Sequence, residues 1–127
     1  MKTGSCLCGA VKYEIHSPLG PVLACHCIQC RKQTGNYWSS IEVADRDLKF
    51  TTDDRLKLYR SSPAAQRGFC SECGSTLLWK KDGSDTTSIT AGTIDGPTGA
   101  QLKGHIFCES AGDYYEIAGG AFRLDRW

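Results

Sequence analysis

The 127-residue chain lacks the features that would place a protein in a membrane or on nucleic acid. It has no apolar run near the ~20 residues that a membrane-spanning helix needs, and its first five residues do not resemble a signal peptide. Fifteen Lys and Arg residues nearly balance fourteen Asp and Glu residues, and no long run of like charge occurs. We therefore expect a cytoplasmic protein with neither a membrane nor a nucleic-acid partner.

The sequence also has no long helical pattern, no internal repeat and no linker that would divide it. Its length suits one domain, which we expect to span residues 1–127. Short segments rich in β-branched and aromatic residues alternate with Gly, Pro, Asp and Ser, which predicts an all-β fold of short antiparallel strands. The predicted strands are Ala10–Ile15, Val22–His26, Ser39–Val43, Leu48–Thr51, Leu56–Arg60, Ala65–Phe69, Thr76–Lys80, Ser88–Thr93, His105–Glu109 and Tyr114–Ile117.

Two local patterns refine this prediction. Lys12–Ile15 and Lys57–Arg60 alternate polar with apolar residues, so each should turn one face toward the core. The one helical turn should lie at Ile28–Thr34, where Gly35 can end it.

Cysteine, in contrast, is abundant. Eight cysteines in a short chain expected in a reducing compartment favour metal binding or catalysis over disulfides. Seven of them fall into three groups with spacings of one or two residues, which let consecutive sulfurs converge on one ion. The groups are two pairs, Cys6 with Cys8 and Cys70 with Cys73, and one triple, Cys25, Cys27 and Cys30.

The simplest partition joins the two pairs into one four-cysteine zinc site. Four thiolates complete the tetrahedral coordination of zinc, which is the arrangement of structural zinc sites. Gly9 and Gly74 directly follow the last cysteine of each pair, where they can turn tightly and aim backbone N–H groups at the thiolates. We therefore expect a structural zinc knuckle.

The triple Cys25, Cys27 and Cys30 would leave the fourth position of a second zinc open, as in catalytic sites. Alternation should turn the intervening His26 away from the three sulfurs. The alternative is a site closed by a fourth protein ligand, for which His26, His105 and Cys108 are the candidates. Alternation along His105–Glu109 instead predicts that Cys108 is a small buried hydrophobe.

A zinc held by three thiolates has a net charge of −1 and a high affinity for sulfur, so a thiol substrate suits it better than hydrolysis. Activated as a thiolate, that substrate could add to an aldehyde carbonyl. Arg31 and Lys32 directly follow the triple and could receive the carboxylates of a small anionic thiol. The candidates for the pocket wall are aromatic: Tyr37, Trp38, Phe69, Trp79, Tyr114 and Tyr115.

Three motifs, Gly-Ser-Cys-Leu-Cys-Gly-Ala-Val, Cys-His-Cys-Ile-Gln-Cys-Arg-Lys-Gln-Thr-Gly and Phe-Cys-Ser-Glu-Cys-Gly-Ser, are similar in order and separation to those of the glutathione-dependent formaldehyde-activating enzymes, also called the CENP-V/GFA domain. The resemblance implies a β-tent fold and a carbon–sulfur lyase that forms S-(hydroxymethyl)glutathione from glutathione and formaldehyde. It also implies two Zn²⁺ ions, a structural one on Cys6, Cys8, Cys70 and Cys73 and a catalytic one on Cys25, Cys27 and Cys30.

The sequence differs from many members of this family after its His-Ile-Phe run, where Ala111–Ile117 replaces an Ala-Pro-Trp segment. Two other functions stay open: a non-catalytic zinc module that binds a thiol or a protein partner, and a redox- or metal-responsive thiol cluster. No residue stands out as the proton-transfer group among the candidates His26, Glu109, Asp113, Tyr114 and Tyr115.

Overall fold

The computed structural model describes residues 1–127 as eleven β-strands, one α-helix and three 3₁₀ turns. The strands are β1 (Lys2–Ser5), β2 (Lys12–Ile15), β3 (Val22–Cys25), β4 (Trp38–Ala44), β5 (Leu48–Thr52), β6 (Leu56–Ser62), β7 (Ala65–Cys70), β8 (Thr76–Lys81), β9 (Thr86–Thr90), β10 (Leu102–Ile106) and β11 (Phe122–Arg123). The helix α1 spans Ile28–Thr34, and the 3₁₀ turns span Asp45–Asp47, Ala91–Thr93 and Cys108–Ser110. The predicted all-β class is confirmed. The seven-residue helix α1 is too short to span a membrane.

The strands form two sheets. The smaller has the order β1-β2-β5, and the larger has the order β11-β10-β3-β4-β9-β8-β7-β6. Seven of the nine strand pairings are antiparallel, as predicted, whereas β10 runs parallel to both β3 and β11. The parallel pairing sets Cys25, at the end of β3, opposite Ile106.

The main core joins the two sheets. Tyr13 and Ile15 on β2 pack with side chains of β4, β8 and β9, because alternation along each strand turns every second residue inward. Burying each of these large apolar side chains contributes roughly 1.5–3 kcal/mol. Besides those two residues, the core contains Ile41, Val43, Leu78, Ile89 and Ile94.

Helix α1 begins and ends where the sequence predicts. The Cys27 side chain accepts a hydrogen bond from the Cys30 amide at its start, and the Gly35 amide donates to the Arg31 carbonyl at its end. Nine of the predicted strands exist, with bounds that differ by up to three residues. The two short strands β1 and β11 have no counterpart in the prediction.

The predicted strand Tyr114–Ile117 is wrong, because this segment forms a turn and a loop. Its two tyrosines are held by side-chain contacts in place of a strand ladder. The Tyr114 hydroxyl donates to the carbonyl of Gly35, and the Tyr115 hydroxyl contacts His26.

The strand predicted at His105–Glu109 ends at Ile106. Phe107 adopts a left-handed backbone conformation (φ 55°), which directs the chain out of the sheet. Cys108 therefore lies in a 3₁₀ turn and is half-buried, so the prediction of a buried strand cysteine is wrong.

The one-faced pattern predicted for Lys12–Ile15 is confirmed, but the one predicted for Lys57–Arg60 is wrong. Leu58 and Tyr59 are 51% and 63% exposed. Strand β6 is the outer strand of the larger sheet, and only its first residue, Leu56, packs against the core.

Candidate metal centres

The structure brings the two distant cysteine pairs together. The sulfurs of Cys6, Cys8, Cys70 and Cys73 all lie within 4.8 Å of one another. The Sγ–Sγ distances are 3.7 Å from Cys6 to Cys8 and 3.8 Å from Cys8 to Cys70. A tetrahedron with Zn–S bonds of about 2.3 Å has S–S edges of about 3.8 Å, so the four sulfurs are already spaced for zinc.

Backbone amides support this group. The Val11 amide donates to Cys6 Sγ at 3.3 Å, and the Glu72 amide donates to Cys70 Sγ at 3.4 Å. Gly9 and Gly74 have φ angles of 79° and 77°, which a residue without Cβ adopts at little cost. The glycines thus make the predicted turns, while the amides that reach sulfur belong to other residues.

The four-cysteine group is partly embedded in apolar surroundings. Cys6 and Cys70 belong to a second core cluster with Val11 and Leu77. A side-chain and a backbone hydrogen bond from Ser75 lower the pKa of Cys73 to about 5, which favours its thiolate form, whereas desolvation and hydrogen bonds with the other three cysteines raise the pKa of Cys8 to about 12. These features fit a structural metal centre.

The second group consists of Cys25, Cys27 and Cys30, whose sulfurs also lie within 4.8 Å of one another. Three elements position them: Cys25 ends β3, Cys27 caps α1, and Cys30 lies in the first turn of that helix. The Cys30 amide donates to Cys27 Sγ at 3.3 Å. The sequence spacing alone predicts this convergence.

The three thiols of this group differ in pKa. Hydrogen bonds with Cys25 and Cys30, together with the charge of Arg67, lower the pKa of Cys27 to about 2. The pKa of Cys25 is raised, and its hydrogen bond with Cys27 contributes most to this shift. Metal binding requires the thiolate form of all three groups, so a bound divalent cation would displace their protons. The donor set fits a soft, thiophilic ion such as zinc.

None of the three candidate fourth ligands belongs to this group. His26 is fully buried and has both ring nitrogens occupied: Nδ1 lies 2.6 Å from Tyr115 Oη, and Nε2 lies 2.9 Å from His105 Nδ1. Burial lowers the pKa of both histidines, which favours neutral rings. Cys108 also lies outside the group. The arrangement therefore offers three protein ligands.

Behind His26 lies a cavity of about 240 Å³. It is lined by His26, Tyr37, Leu102 and His105 and by residues 116–121. The rings of Tyr37 and Tyr115 pack against His26 with centroid distances of 5.0 Å and 5.6 Å. Of the predicted wall residues, Trp38, Phe69 and Trp79 take no part in this ring cluster.

The two predicted carboxylate-binding residues, Arg31 and Lys32, lie in the last turn of α1 and form no ion pair.

The candidate proton-transfer residues lie in different surroundings. Glu109 is engaged by Arg126 at 2.6 Å, whereas Asp113 is exposed. Tyr115 alone joins the buried histidines.

Arg67 is a residue of this region that the sequence reasoning missed. It is 6% exposed, and its guanidinium donates to Cys30 Sγ at 3.6 Å. One signal was present: Arg67 occupies the centre of a predicted strand between Ala65 and Phe69, where alternation places the three side chains on one face. A charged residue on an apolar face is the observation that could have found it.

The fold and the two cysteine groups define a small all-β protein suited to hold metal ions through thiolates. The family model described as "Glutathione-dependent formaldehyde-activating enzyme" matches residues 1–110. The chain belongs to this family, as its motifs predict.

Individual relatives agree with this membership. A protein named an uncharacterized lyase, from Schizosaccharomyces pombe, is 24% identical over 116 residues, covering 91% of this chain and 84% of the relative. A putative glutathione-dependent formaldehyde-activating enzyme from Halomonas elongata is 34% identical over 82 residues, or 58% of this chain. The match spans about half of the Halomonas protein's length, 52%.

A solved structure supports the fold. The crystal structure of a Rhodobacter sphaeroides protein superposes with a TM-score of 0.61 and 20% sequence identity, covering 80% of this chain and 99% of that protein. At this identity the likeness shows the shared fold alone.

Proposed function

We propose that the protein is a carbon–sulfur lyase that adds a small thiol such as glutathione reversibly to a small aldehyde such as formaldehyde. In this reaction the thiol sulfur bonds to the carbonyl carbon, and the thiol proton ends on the carbonyl oxygen. The reverse reaction breaks the same carbon–sulfur bond. Membership of the family and the lyase name of one relative support this class of reaction.

The observation that carries the proposal is the three-ligand set of Cys25, Cys27 and Cys30 without a fourth His, Cys, Asp or Glu in the group. Zinc bound there would supply an open position at which a substrate thiol is favoured as its thiolate. His26 is held away by Tyr115 and His105, so the protein itself leaves that position free.

Other residues of the chain have separate tasks in this proposal. Cys6, Cys8, Cys70 and Cys73 hold the structural zinc, as their spacing and the burial of Cys6 and Cys70 favour. Arg31 and Lys32, free of ion pairs, receive substrate carboxylates. Tyr115 is the preferred proton-handling residue because its hydroxyl joins the hydrogen-bonded histidines.

Zinc content per chain tests the proposal in wild type, Cys27→Ser and Cys108→Ser, each titrated with glutathione. We expect two zinc ions in the wild type, one in Cys27→Ser with loss of glutathione binding, and no change in Cys108→Ser, since Cys108 lies outside both groups. The rate of formaldehyde exchange with S-(hydroxymethyl)glutathione should fall in parallel.

Two results would contradict the proposal. One zinc in both wild type and Cys27→Ser, without glutathione binding, would favour a non-catalytic zinc module. Reversible zinc loss under mild peroxide, without any acceleration of the exchange, would favour a redox-responsive cluster.

A further inference from the structure

Arg67 is a buried positive charge without a carboxylate partner. Its side chain is 6% exposed, and none of the ion pairs of the protein includes it. Burying an unpaired charge is costly, so a guanidinium in such a position needs compensation nearby.

Four contacts surround the guanidinium. Nε donates to Gln29 Oε1 and Nη1 donates to Gln33 Oε1, both at 3.0 Å, and Nη2 donates to Cys30 Sγ at 3.6 Å. The Trp38 ring lies 5.7 Å from the guanidinium carbon. The two amides and the ring are neutral, so Cys30 is the one contact that can carry a full negative charge.

We propose that Arg67 is the counter-charge of the Cys25, Cys27 and Cys30 cluster and that it selects an anionic over a neutral fourth ligand. Three thiolates with a divalent cation have a net charge of −1, and an added thiolate makes it −2. The guanidinium reduces this negative charge by one at a distance where water does not screen it fully. The inference rests on the proposed thiol-binding site and names the residue that tunes it.

A purely structural role is the competing explanation. Gln29 and Gln33 lie four residues apart on one face of α1, so Arg67 also ties that helix to β7. Loss of this tie would disturb the cysteine cluster and weaken every ligand alike. Loss of the charge would weaken anionic ligands selectively. Arg67 is thus a positioning residue whose two roles an experiment can separate.

The test compares two probes on protein loaded with Co²⁺ in place of zinc, in wild type, Arg67→Met and Arg67→Lys. The probes are 2-mercaptoethanol, which would bind as a thiolate, and imidazole, which would bind as a neutral ring. Ligand-induced difference spectra in the sulfur-to-cobalt charge-transfer region report the open position, because the four-cysteine site has no place for either probe. Equal cobalt content per chain confirms that the variants are comparable.

In Arg67→Met we expect the affinity for 2-mercaptoethanol to fall by about tenfold or more, as removal of a nearby charge in a partly desolvated site predicts. The affinity for imidazole should change by less than about threefold. Arg67→Lys keeps the charge and should keep the wild-type ratio of the two affinities within about threefold, although it cannot replace all three hydrogen bonds.

Equal losses for both probes in Arg67→Met, or no loss for either, would overturn the counter-charge role. If Arg67→Met does not fold, Arg67→Lys decides alone: a tenfold fall in the ratio of thiol to imidazole affinity would overturn the inference. Wild-type protein that binds neither probe would overturn the open site itself, and with it both proposals.

Discussion

His26 lies between Cys25 and Cys27 in the sequence, yet its ring is hydrogen-bonded to Tyr115 and His105. In neutral rings each imidazole has one N–H, so the hydrogen bonds are satisfied when Tyr115 donates to His26 Nδ1 and His26 Nε2–H donates to His105 Nδ1. The Tyr115 hydroxyl is therefore coupled to the tautomer of His26, since the reverse directions satisfy the same two hydrogen bonds. It also keeps the ring turned away from the three sulfurs.

Replacing Tyr115 with Phe should remove the partner of a buried nitrogen. We expect the free energy of unfolding to fall by about 1–3 kcal/mol, the usual cost of a buried polar group left without a hydrogen bond. Urea unfolding of metal-saturated protein measures it. Tyr114→Phe is the matched control: that hydroxyl bonds the Gly35 carbonyl on a side chain that is 62% exposed, so water can replace it at a cost below about 1 kcal/mol.

Equal losses in the two tyrosine variants would show that the Tyr115 hydrogen bond to His26 has no special weight. A larger loss in Tyr114→Phe would indicate that the loop is held mainly at the end of α1.

At the scale of elements, strand β1 shows how a segment with weak strand preference is fixed by its surroundings. Its Gly4 pairs with Tyr13 on β2 and forms an isolated bridge to Ile94. A Cβ at this position would overlap the Tyr13 ring and lie 2.7 Å from the Thr93 carbonyl oxygen. The glycine permits this close approach, and the Tyr13 hydroxyl then reaches Thr93 Oγ1 at 2.7 Å.

Gly4→Ala should destabilise the protein by about 1–3 kcal/mol or more, because the added methyl group meets a buried ring and a backbone oxygen that cannot both move aside. Gly20→Ala is the control, since no atom lies within 4 Å of a Cβ there. It should change stability by less than about 1 kcal/mol, in the stabilising direction if it changes at all. Thermal unfolding compares the two.

A Gly4→Ala variant as stable as Gly20→Ala would mean that β1 can shift away from β2, and that the smaller sheet tolerates a looser first strand.

Elements of local origin were predictable from the sequence, and most contacts of distant origin were not. The local spacing of the cysteines and Gly35 gave the triple and the bounds of α1, whereas the union of the two distant pairs was predicted from the four ligands that zinc takes. The β3–β10 pairing and the contact between His26 and His105 join residues about 80 positions apart, and no periodicity encodes them. Arg67 is hydrogen-bonded to two glutamines of α1, more than 30 positions away. The sequence could therefore indicate an unusual charge on an apolar strand face, but it could not predict these partners.

At the scale of the whole molecule, the two cysteine groups should differ in what they do for stability. Cys8 and Cys70 lie 62 positions apart, and the four-cysteine group links the N-terminal segment to the loop after β7. The triple instead lies within six consecutive positions and ties little of the chain together. Binding energy at the first group is therefore folding energy for most of the protein.

Cys70→Ser should lower the melting temperature by more than about 10 °C, whereas Cys27→Ser should lower it by a few degrees at most. Calorimetry at fixed protein and zinc concentrations measures both, since a bound metal makes the midpoint depend on concentration. An excess of chelator should bring wild type and Cys70→Ser to similar midpoints.

Similar falls in Cys70→Ser and Cys27→Ser would contradict this division. Such a result would assign a structural role to the triple and would count against an open site there.

The parallel pairing of β3 with β10 affects how fast the protein folds. Chains whose contacts join distant residues fold slowly, in milliseconds to seconds, because loop closure must precede the contacts that reward it. Cys25 meets its neighbour Ile106 across about 80 positions, so the edge of β3 that faces β10 stays unpaired during much of that interval. The seconds after synthesis are thus when an oxidant would most easily pair these thiols wrongly, and the speed of folding sets how long that risk lasts.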